Sequence, residues 1–169
     1  MRELTAPDAD TLAAIISEPR VFATLGDETQ PTIEQIRDLI QMRVEAAQEG
    51  ERTRYDLGID LDGSLIGLCT LSKLDSRNGT AELSYFVDAA QWGKGYASEA
   101  ARLVVEHGFT ALGLHRIWAT VDPVNIGSQK VMHKIGMSLE GYLRGDKIVQ
   151  GQRRDSMLFA RLATDPAPA

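Results

Sequence analysis

The segment Trp92 to Ala97, Trp-Gly-Lys-Gly-Tyr-Ala, constrains the fold of this chain more than any other. It follows an apolar run, Ala81 to Val87, that predicts a strand, and it leads into an alanine-rich run, Ala97 to Leu112, that predicts a helix. A strand, a glycine turn and a helix in this order direct the backbone N–H groups of the helix start toward an anion. The two glycines leave those amides uncovered. We therefore expect the turn to bind a phosphorylated ligand.

The turn by itself does not identify the ligand, because a G-x-G turn after a strand is also typical of a plain tight turn. A dinucleotide fingerprint needs a third glycine, and Ser98 stands at that position. The chain also has no Gly-Lys-Ser or Gly-Lys-Thr segment of the kind that cradles ATP phosphates. These two differences argue against a dinucleotide and against ATP.

Size and charge predict one cytoplasmic domain. The chain has 169 residues, and we expect residues 1–163 to form the domain and the Pro- and Ala-rich residues 164–169 a flexible tail. No apolar run matches a membrane span, and the first residues show no signal peptide. The single cysteine, Cys69, fits a reducing compartment and a place in the core. A net charge of −6 disfavours nucleic acid and anionic membranes as partners and favours cationic ones such as amines.

Helix and strand signals follow in the order β-α-α-β-β-β-α-β-α-β-β, which predicts a mixed sheet with helices on both faces. A cap at Thr5 begins the first helix, which Pro19 ends. A capping box, Thr32 to Gln35, begins the second helix, which we expect to end near Gly50. The other predicted elements are a first strand at 1–5, the strands 55–61, 65–74, 81–87, 117–121, 138–143 and 155–162, and the helices 97–112 and 125–135.

Together these segments resemble the acetyl-CoA-binding core of the GNAT N-acetyltransferases, and most closely the branch named for RimJ and RimL. The segments that carry the resemblance are Ala81–Val87, Trp92–Ala100, Ile117–Val121, Asn125–Ser128, Gly136-Met137, Glu140-Gly141 and Arg154–Ser156. The resemblance implies an α/β fold of the α+β mixed type, with a mixed, mostly antiparallel sheet of about seven strands flanked by about four helices. It also implies acetyl-CoA as the cosubstrate and no metal.

The resemblance further implies which residues bind CoA. The backbone amides of Gly93, Lys94, Gly95, Tyr96 and Ala97 would hold the pyrophosphate, and Lys94 either adds positive charge there or is solvated. Trp92 stands where most GNAT enzymes have Gln or Arg. Phe86 and Val87 end the strand whose exposed backbone would pair with the pantetheine arm as an added strand does. Asn125 would hydrogen-bond that arm, and Ser128 would lie near the CoA sulfur.

Acetyl transfer from a thioester to an amine requires a neutral amine, a stabilised oxyanion and a thiolate that can leave. The backbone N–H of Val87 is the expected oxyanion donor. Glu82 is the expected base, acting through a water, and its alternative is a solvated or paired strand carboxylate. Many GNAT enzymes have an acid Tyr where Met132 stands, so the acid role passes to Ser128 or to water. Weaker candidates for the base are Asp122 and Asp155.

A protein N-terminal α-amine is the acceptor we expect. At pH 7 about 0.04% of a lysine amine is neutral, against about 10–17% of an N-terminal amine. The alternatives are a small amine, such as a polyamine or an amino-sugar antibiotic, and a non-catalytic acyl-CoA-binding module. Two stretches predicted as irregular loops would border the acceptor site, Phe22 to Pro31 with Asp27 and Glu28, and Arg144 to Arg153. The chain is expected to be a monomer or a homodimer, and its three histidines lack metal-ligand spacing.

Overall fold

The computed structural model describes residues 1–26, 29–48 and 52–168. In these ranges a seven-stranded sheet is flanked by five α-helices and a short 3₁₀ turn, so the mixed α/β fold is confirmed with one more helix than expected. No helix in these ranges is long and apolar enough to span a membrane. The strands are β1 Arg2–Glu3, β2 Tyr55–Leu61, β3 Ser64–Asp75, β4 Thr80–Val87, β5 Arg116–Val121, β6 Ser138–Val149 and β7 Gln152–Leu162. The helices are α1 Asp8–Ser17, α2 Pro19–Leu25, α3 Ile33–Ala46, α4 Tyr96–Thr110 and α5 Ile126–Lys134, and the 3₁₀ turn is Ala89–Gln91.

The sheet has the strand order β1-β2-β3-β4-β5-β7-β6, with β4 and β5 as its parallel pair and every other neighbouring pair antiparallel. Helices α1 and α3 cover one face around β3, where Leu12, Ile40 and Leu68 are buried together. Helices α4 and α5 cover the other face, over a larger core that includes Val105 and Phe159. Each such side chain contributes roughly 1.5–3 kcal/mol through its burial, which holds the strands rigid around the site.

Pro19 ends one helix and begins another. The sequence predicts a stop at this proline and a loop from Phe22 onward, but the structure continues as α2 from Pro19 to Leu25. Proline suits the first helical position because it needs no N–H partner there. The Glu18 carboxylate accepts a hydrogen bond from the Val21 N–H and caps this helix. The loop prediction is therefore wrong for 22–25, while Asp27 and Glu28 lie outside the described residues.

The segment between the last two predicted strands is more regular than expected. Arg144 to Arg153, predicted as a loop, forms the ends of β6 and β7, with a register shift between Leu143 and Lys147. At this bulge Gly145 has φ +62° and donates its N–H to the Asp155 carboxylate at 2.8 Å. The loop prediction failed because a glycine in a strand also marks a bulge.

The caps of α1 and α3 differ from each other. At α3 the capping box between Thr32 and Gln35 is confirmed, and the helix ends at Ala46, while Gly50 lies outside the described residues. At α1 the Thr5 hydroxyl is not the cap. Instead the Asp8 carboxylate accepts hydrogen bonds from the Thr5 N–H at 2.7 Å and from its hydroxyl at 2.9 Å. Asp8 also pairs with Arg2, which joins β1 to α1.

Replacing Asp8 with asparagine should destabilise the fold by about 1–2 kcal/mol at pH 7, because Arg2 loses one of its two carboxylate partners and keeps only Asp60, and solvent screens part of the effect. The Arg2 guanidinium lowers the pKa of Asp8 to about 2, against about 3.9 in an unfolded chain. This stabilisation is present above pH ~4 and is lost as the pH falls toward 2. Urea unfolding at pH 7 and pH 3 measures both effects. Asp38→Asn, an exposed position on α3 with the same charge change, is the control. Equal losses in the two variants would contradict the role given to Asp8.

Candidate active site

The parallel strands β4 and β5 pair over a short length and then separate. Their partners run from Thr80 with Arg116 to Glu82 with Trp118, and the pairing stops there. In the described parts of the chain, no strand pairs with Ser84–Val87 on that side. The C-terminal halves of the two strands therefore border a cleft that opens toward α4 and α5.

The backbone of β4 presents alternate residues to this cleft. Asp88 donates its N–H to the Ile66 carbonyl at 2.8 Å, and Phe86 pairs with Leu68. Since hydrogen-bonded and non-bonded pairs alternate in an antiparallel ladder, the backbone groups of Phe86 face β3 and the Val87 N–H faces the cleft. This geometry is compatible with the expectation that the Val87 N–H is the oxyanion donor, which stays a prediction. At Phe86 the backbone bonds lie in the ladder with β3 and the side chain packs under α1 and α2, so the strand-end backbone that is open toward the cleft is that of Val87.

The glycine turn is open at the helix start. Gly93 and Gly95 have φ values of +79° and +92°, and a Cβ added at either would meet no atom within 4 Å. Helix α4 begins at Tyr96, and its N-cap, Gly95, supplies no side-chain hydrogen bond. No side chain therefore caps the first amides of this 15-residue helix, and their binding of an anion stays a prediction. Lys94 donates to the Gln91 side chain at 2.8 Å beside the turn.

Trp92 fastens this turn to the end of β4. Its indole N–H donates a hydrogen bond to the Val87 carbonyl at 2.8 Å, although 44% of the residue is exposed. The indole therefore has a definite partner at the position where the family usually carries Gln or Arg. Its contact is with the strand end that borders the cleft.

The N-terminus of α5 supplies two further side chains. Asn125 caps the helix, and its amide oxygen accepts the Ser128 N–H at 3.0 Å, which leaves its NH₂ group to donate elsewhere. The Ser128 hydroxyl lies 2.8 Å from the hydroxyl of Tyr85 on β4. Burial raises the pKa of Tyr85 to about 12. Sequence reasoning did not single out Tyr85 and missed this contact. The signal that could have found it is that Tyr85 lies two residues before Val87, on the same face of the strand.

Glu82 lies at the other end of this strand segment. Its half-buried carboxylate is 2.9 Å from the Lys73 Nζ, and that ammonium lies 5.1 Å from the centre of the Trp118 ring. The group sits in an open cavity of ≈ 470 Å³ lined by Thr53, Arg54, Ser72, Lys73, Leu74, Glu82 and Ser84. Val87 is the fifth residue after Glu82, which corresponds to roughly 16 Å of extended strand. Glu82 can therefore reach chemistry at Val87 only through waters.

The two weaker carboxylates have structural partners. Asp122 accepts the Val124 N–H at 3.0 Å and lies 3.8 Å from Arg154, and Asp155 holds the bulge at Gly145. Cys69 is fully buried, and burial raises the pKa of its thiol to about 12, so it is a core residue as predicted. In the described ranges no three His, Cys, Asp or Glu side chains come together as a metal-binding group.

The two segments expected to border the acceptor site lie against each other. A Cβ added at Gly26, the C-cap of α2, would be 2.9 Å from the Lys147 Nζ on β6. The end of α2 and the β6–β7 hairpin thus form one wall. Helix α2 packs against Phe86, on the face of the sheet opposite α4.

Comparison with known proteins gives the same fold and family. The family model described as an acetyltransferase (GNAT) domain matches residues 1–138. The uncharacterized N-acetyltransferase p20 of Bacillus licheniformis is 34% identical over 167 residues, 99% of this chain and 94% of that protein. The probable N-acetyltransferase YjcK of Bacillus subtilis is 34% identical over 170 residues, 98% of this chain and 94% of that protein. The spermidine N(1)-acetyltransferase of Escherichia coli is 31% identical over 99 residues, 59% and 53% of the two chains.

Solved structures superpose over nearly the whole chain. RimJ of Mycobacterium smegmatis, solved in complex with CoA-disulfide, has a TM-score of 0.84 at 26% identity and covers 96% of this chain and 80% of that one. The ribosomal-protein-S5-alanine acetyltransferase of Vibrio fischeri has a TM-score of 0.85 at 23% identity, with 99% and 94% covered, and shares the fold. Because the family model spans most of the chain and p20 aligns with almost all of it, this chain belongs to the GNAT family of acetyl-CoA-dependent N-acetyltransferases.

Proposed function

We propose that the chain acetylates protein N-terminal α-amines by direct attack of the amine in a ternary complex. The observation that carries this proposal is the opening between β4 and β5, where the Val87 N–H faces a cleft bordered by Ser128 and by the glycine turn. Acetyl-CoA supplies the thioester. The amides of residues 93–97 hold its pyrophosphate, the Asn125 NH₂ group donates to the pantetheine arm, and the Val87 N–H donates to the carbonyl oxygen as negative charge develops there.

An N-terminal acceptor suits the position of Glu82. Its carboxylate is paired with Lys73 and lies roughly 16 Å along the strand from Val87, so it takes up the amine proton through waters. An N-terminal amine with a pKa of about 7.7–8.0 is partly neutral at pH 7, so it can react with only a distant, water-mediated base. The single buried cysteine supports a cytoplasmic location for the reaction.

A panel of acceptors tests this proposal. Peptides with a free N-terminus should be acetylated with a higher kcat/KM than the same peptides with a blocked N-terminus and a free lysine, because far more of the α-amine is neutral. The rate should rise with pH up to about 8, where the α-amine becomes mostly neutral. Mass spectrometry locates the acetyl group. Turnover of small amines alone would contradict the acceptor, and CoA binding without turnover of any amine would contradict catalysis.

Trp92→Phe tests the cosubstrate site. The variant keeps an aromatic ring but loses the hydrogen bond to the Val87 carbonyl, so the turn should be held less firmly. A bond of about 0.5–1.5 kcal/mol predicts about a two- to tenfold weaker affinity for CoA, measured by calorimetry. Trp118→Phe, the other tryptophan, is the control and should bind CoA like the wild type. An unchanged CoA affinity in Trp92→Phe would show that the Trp92 hydrogen bond does not contribute to CoA binding.

A polyamine acceptor is the second candidate, and the Lys73 ammonium supports it. This ammonium shows that the carboxylate of Glu82 and the ring of Trp118 can hold a cation together. Lys73 reaches them from a register shift in β3, with φ +49°, and its side chain is 66% exposed, so an incoming ammonium can displace it. The similarity to a spermidine N(1)-acetyltransferase supports the same class.

Lys73→Met should therefore lower the KM for spermidine by about two- to fivefold, because the acceptor no longer competes with a tethered cation. Glu82→Gln separates the two roles of that carboxylate. It lowers kcat for every amine if Glu82 is the base, and it raises only the KM for spermidine if Glu82 is a cation site. Arg77→Met, an exposed position on the neighbouring turn with the same charge change, is the control. An unchanged KM for spermidine in Lys73→Met would exclude the competition.

A further inference from the structure

The proposed reaction gives no role to the contact between the hydroxyls of Tyr85 and Ser128. The leaving sulfur carries negative charge as the thioester breaks, and a hydrogen-bond donor beside it stabilises that charge. Met132 occupies the helix position where the family resemblance places an acid tyrosine. It is 1% exposed in the core and has no proton to donate. A side-chain donor to the leaving sulfur must therefore come from another position.

Tyr85 and Ser128 come from different elements and are both held in place. The ring of Tyr85 packs against the large core below α4 and α5, and its hydroxyl lies 2.8 Å from the Ser128 Oγ. Ser128 is fixed in the first turn of α5 by the bond from its N–H to the Asn125 side chain at 3.0 Å. A phenol thus meets an alcohol at the helix N-terminus that borders the cleft.

We propose that Tyr85 is a positioning residue whose hydroxyl donates to the Ser128 Oγ, so that the Ser128 hydroxyl is turned toward the leaving sulfur and donates to it. This assignment rests on the proposed function. A hydroxyl has one proton, and Ser128 can donate into the cleft only if its contact with Tyr85 is made as an acceptor. The phenol is the stronger acid of the two. Burial raises its pKa to about 12, so it keeps its proton at any pH at which the enzyme would work.

The step balances without a proton leaving Tyr85. The C–N bond forms as the amine nitrogen attacks the carbonyl carbon, the C–S bond breaks, and its electron pair goes to sulfur. The amine proton passes to water or to Glu82, and the thiolate later takes a proton from solvent. A thiol has a pKa of about 8.5, well below that of this phenol, so the two hydroxyls stabilise the thiolate by hydrogen bonds and do not protonate it. In such a chain each hydrogen bond polarises the next.

Single-turnover acetylation by three variants tests the assignment. Ser128→Ala should slow the chemical step by about a hundredfold, as loss of a charge-stabilising donor does. Tyr85→Phe should slow it by about tenfold, with the KM for acetyl-CoA unchanged within twofold. The double variant should equal Ser128→Ala, because Tyr85 acts only through Ser128. Tyr55→Phe, another half-buried tyrosine packed on the same core but remote from the cleft, is the control and should match the wild type.

Two results would overturn the assignment: a wild-type rate in Tyr85→Phe, or a further tenfold loss when it is combined with Ser128→Ala. Fluorotyrosine placed at position 85 gives a second measurement in a chain that keeps the ring and the hydroxyl. A more acidic phenol is a stronger donor and a weaker acceptor, so the rate should rise if Tyr85 donates, and a fall would reverse the direction. If the wild type acetylates no amine, the proposed function is wrong. If the wild type is active but the Tyr85→Phe variant keeps the wild-type rate, only the role given to Tyr85 is wrong.

Discussion

The limited parallel pairing of β4 with β5 is the constraint on which the site depends. Strand β4 is held on its other side by seven residue pairs with β3, and β5 is held by six pairs with β7. Each strand is thus anchored on its outer edge, so their inner edges can separate after Glu82 without loss of order. Gly67 tightens this anchor, because a Cβ there would lie 2.3 Å from the Phe86 carbonyl oxygen. Only glycine lets β3 approach β4 so closely beside the opening.

The separation gathers groups from three elements that are distant in sequence. Strand β4 brings the Val87 N–H and the Tyr85 hydroxyl, α4 brings the open amides after Gly95, and α5 brings Ser128. Each element has its own burial against the large core, so the groups are positioned before any ligand binds. Such preorganisation is what electrostatic catalysis requires, since the donors need not reorient as charge develops.

Sequence predicted the parts of this arrangement that are local. The glycine turn, the helix that begins near Asn125 and the Thr32 capping box each lie within a few residues and have fixed backbone chemistry. Pro19 was misread because proline suits both the end of one helix and the first turn of the next. The contact of Tyr85 with Ser128 spans 43 residues, and it depends on how far the strands separate, which no spacing rule encodes. Lys73 was missed for a similar reason, because its bulge turns a strand lysine toward Glu82.

The peptide unit between Val87 and Asp88 connects Trp92 to the strand end that borders the cleft. Its carbonyl accepts the Trp92 indole N–H, and its N–H donates to the Ile66 carbonyl, so the unit is held at both ends. Strand alternation fixes the preceding peptide through Phe86, whose carbonyl faces β3, and the Val87 N–H therefore faces the cleft. A carbonyl left without a partner at this strand end would cost free energy or draw in water. Under the proposed function, the tryptophan at the start of the motif would hold the strand end beside the Val87 N–H, at the position where most GNAT enzymes have Gln or Arg.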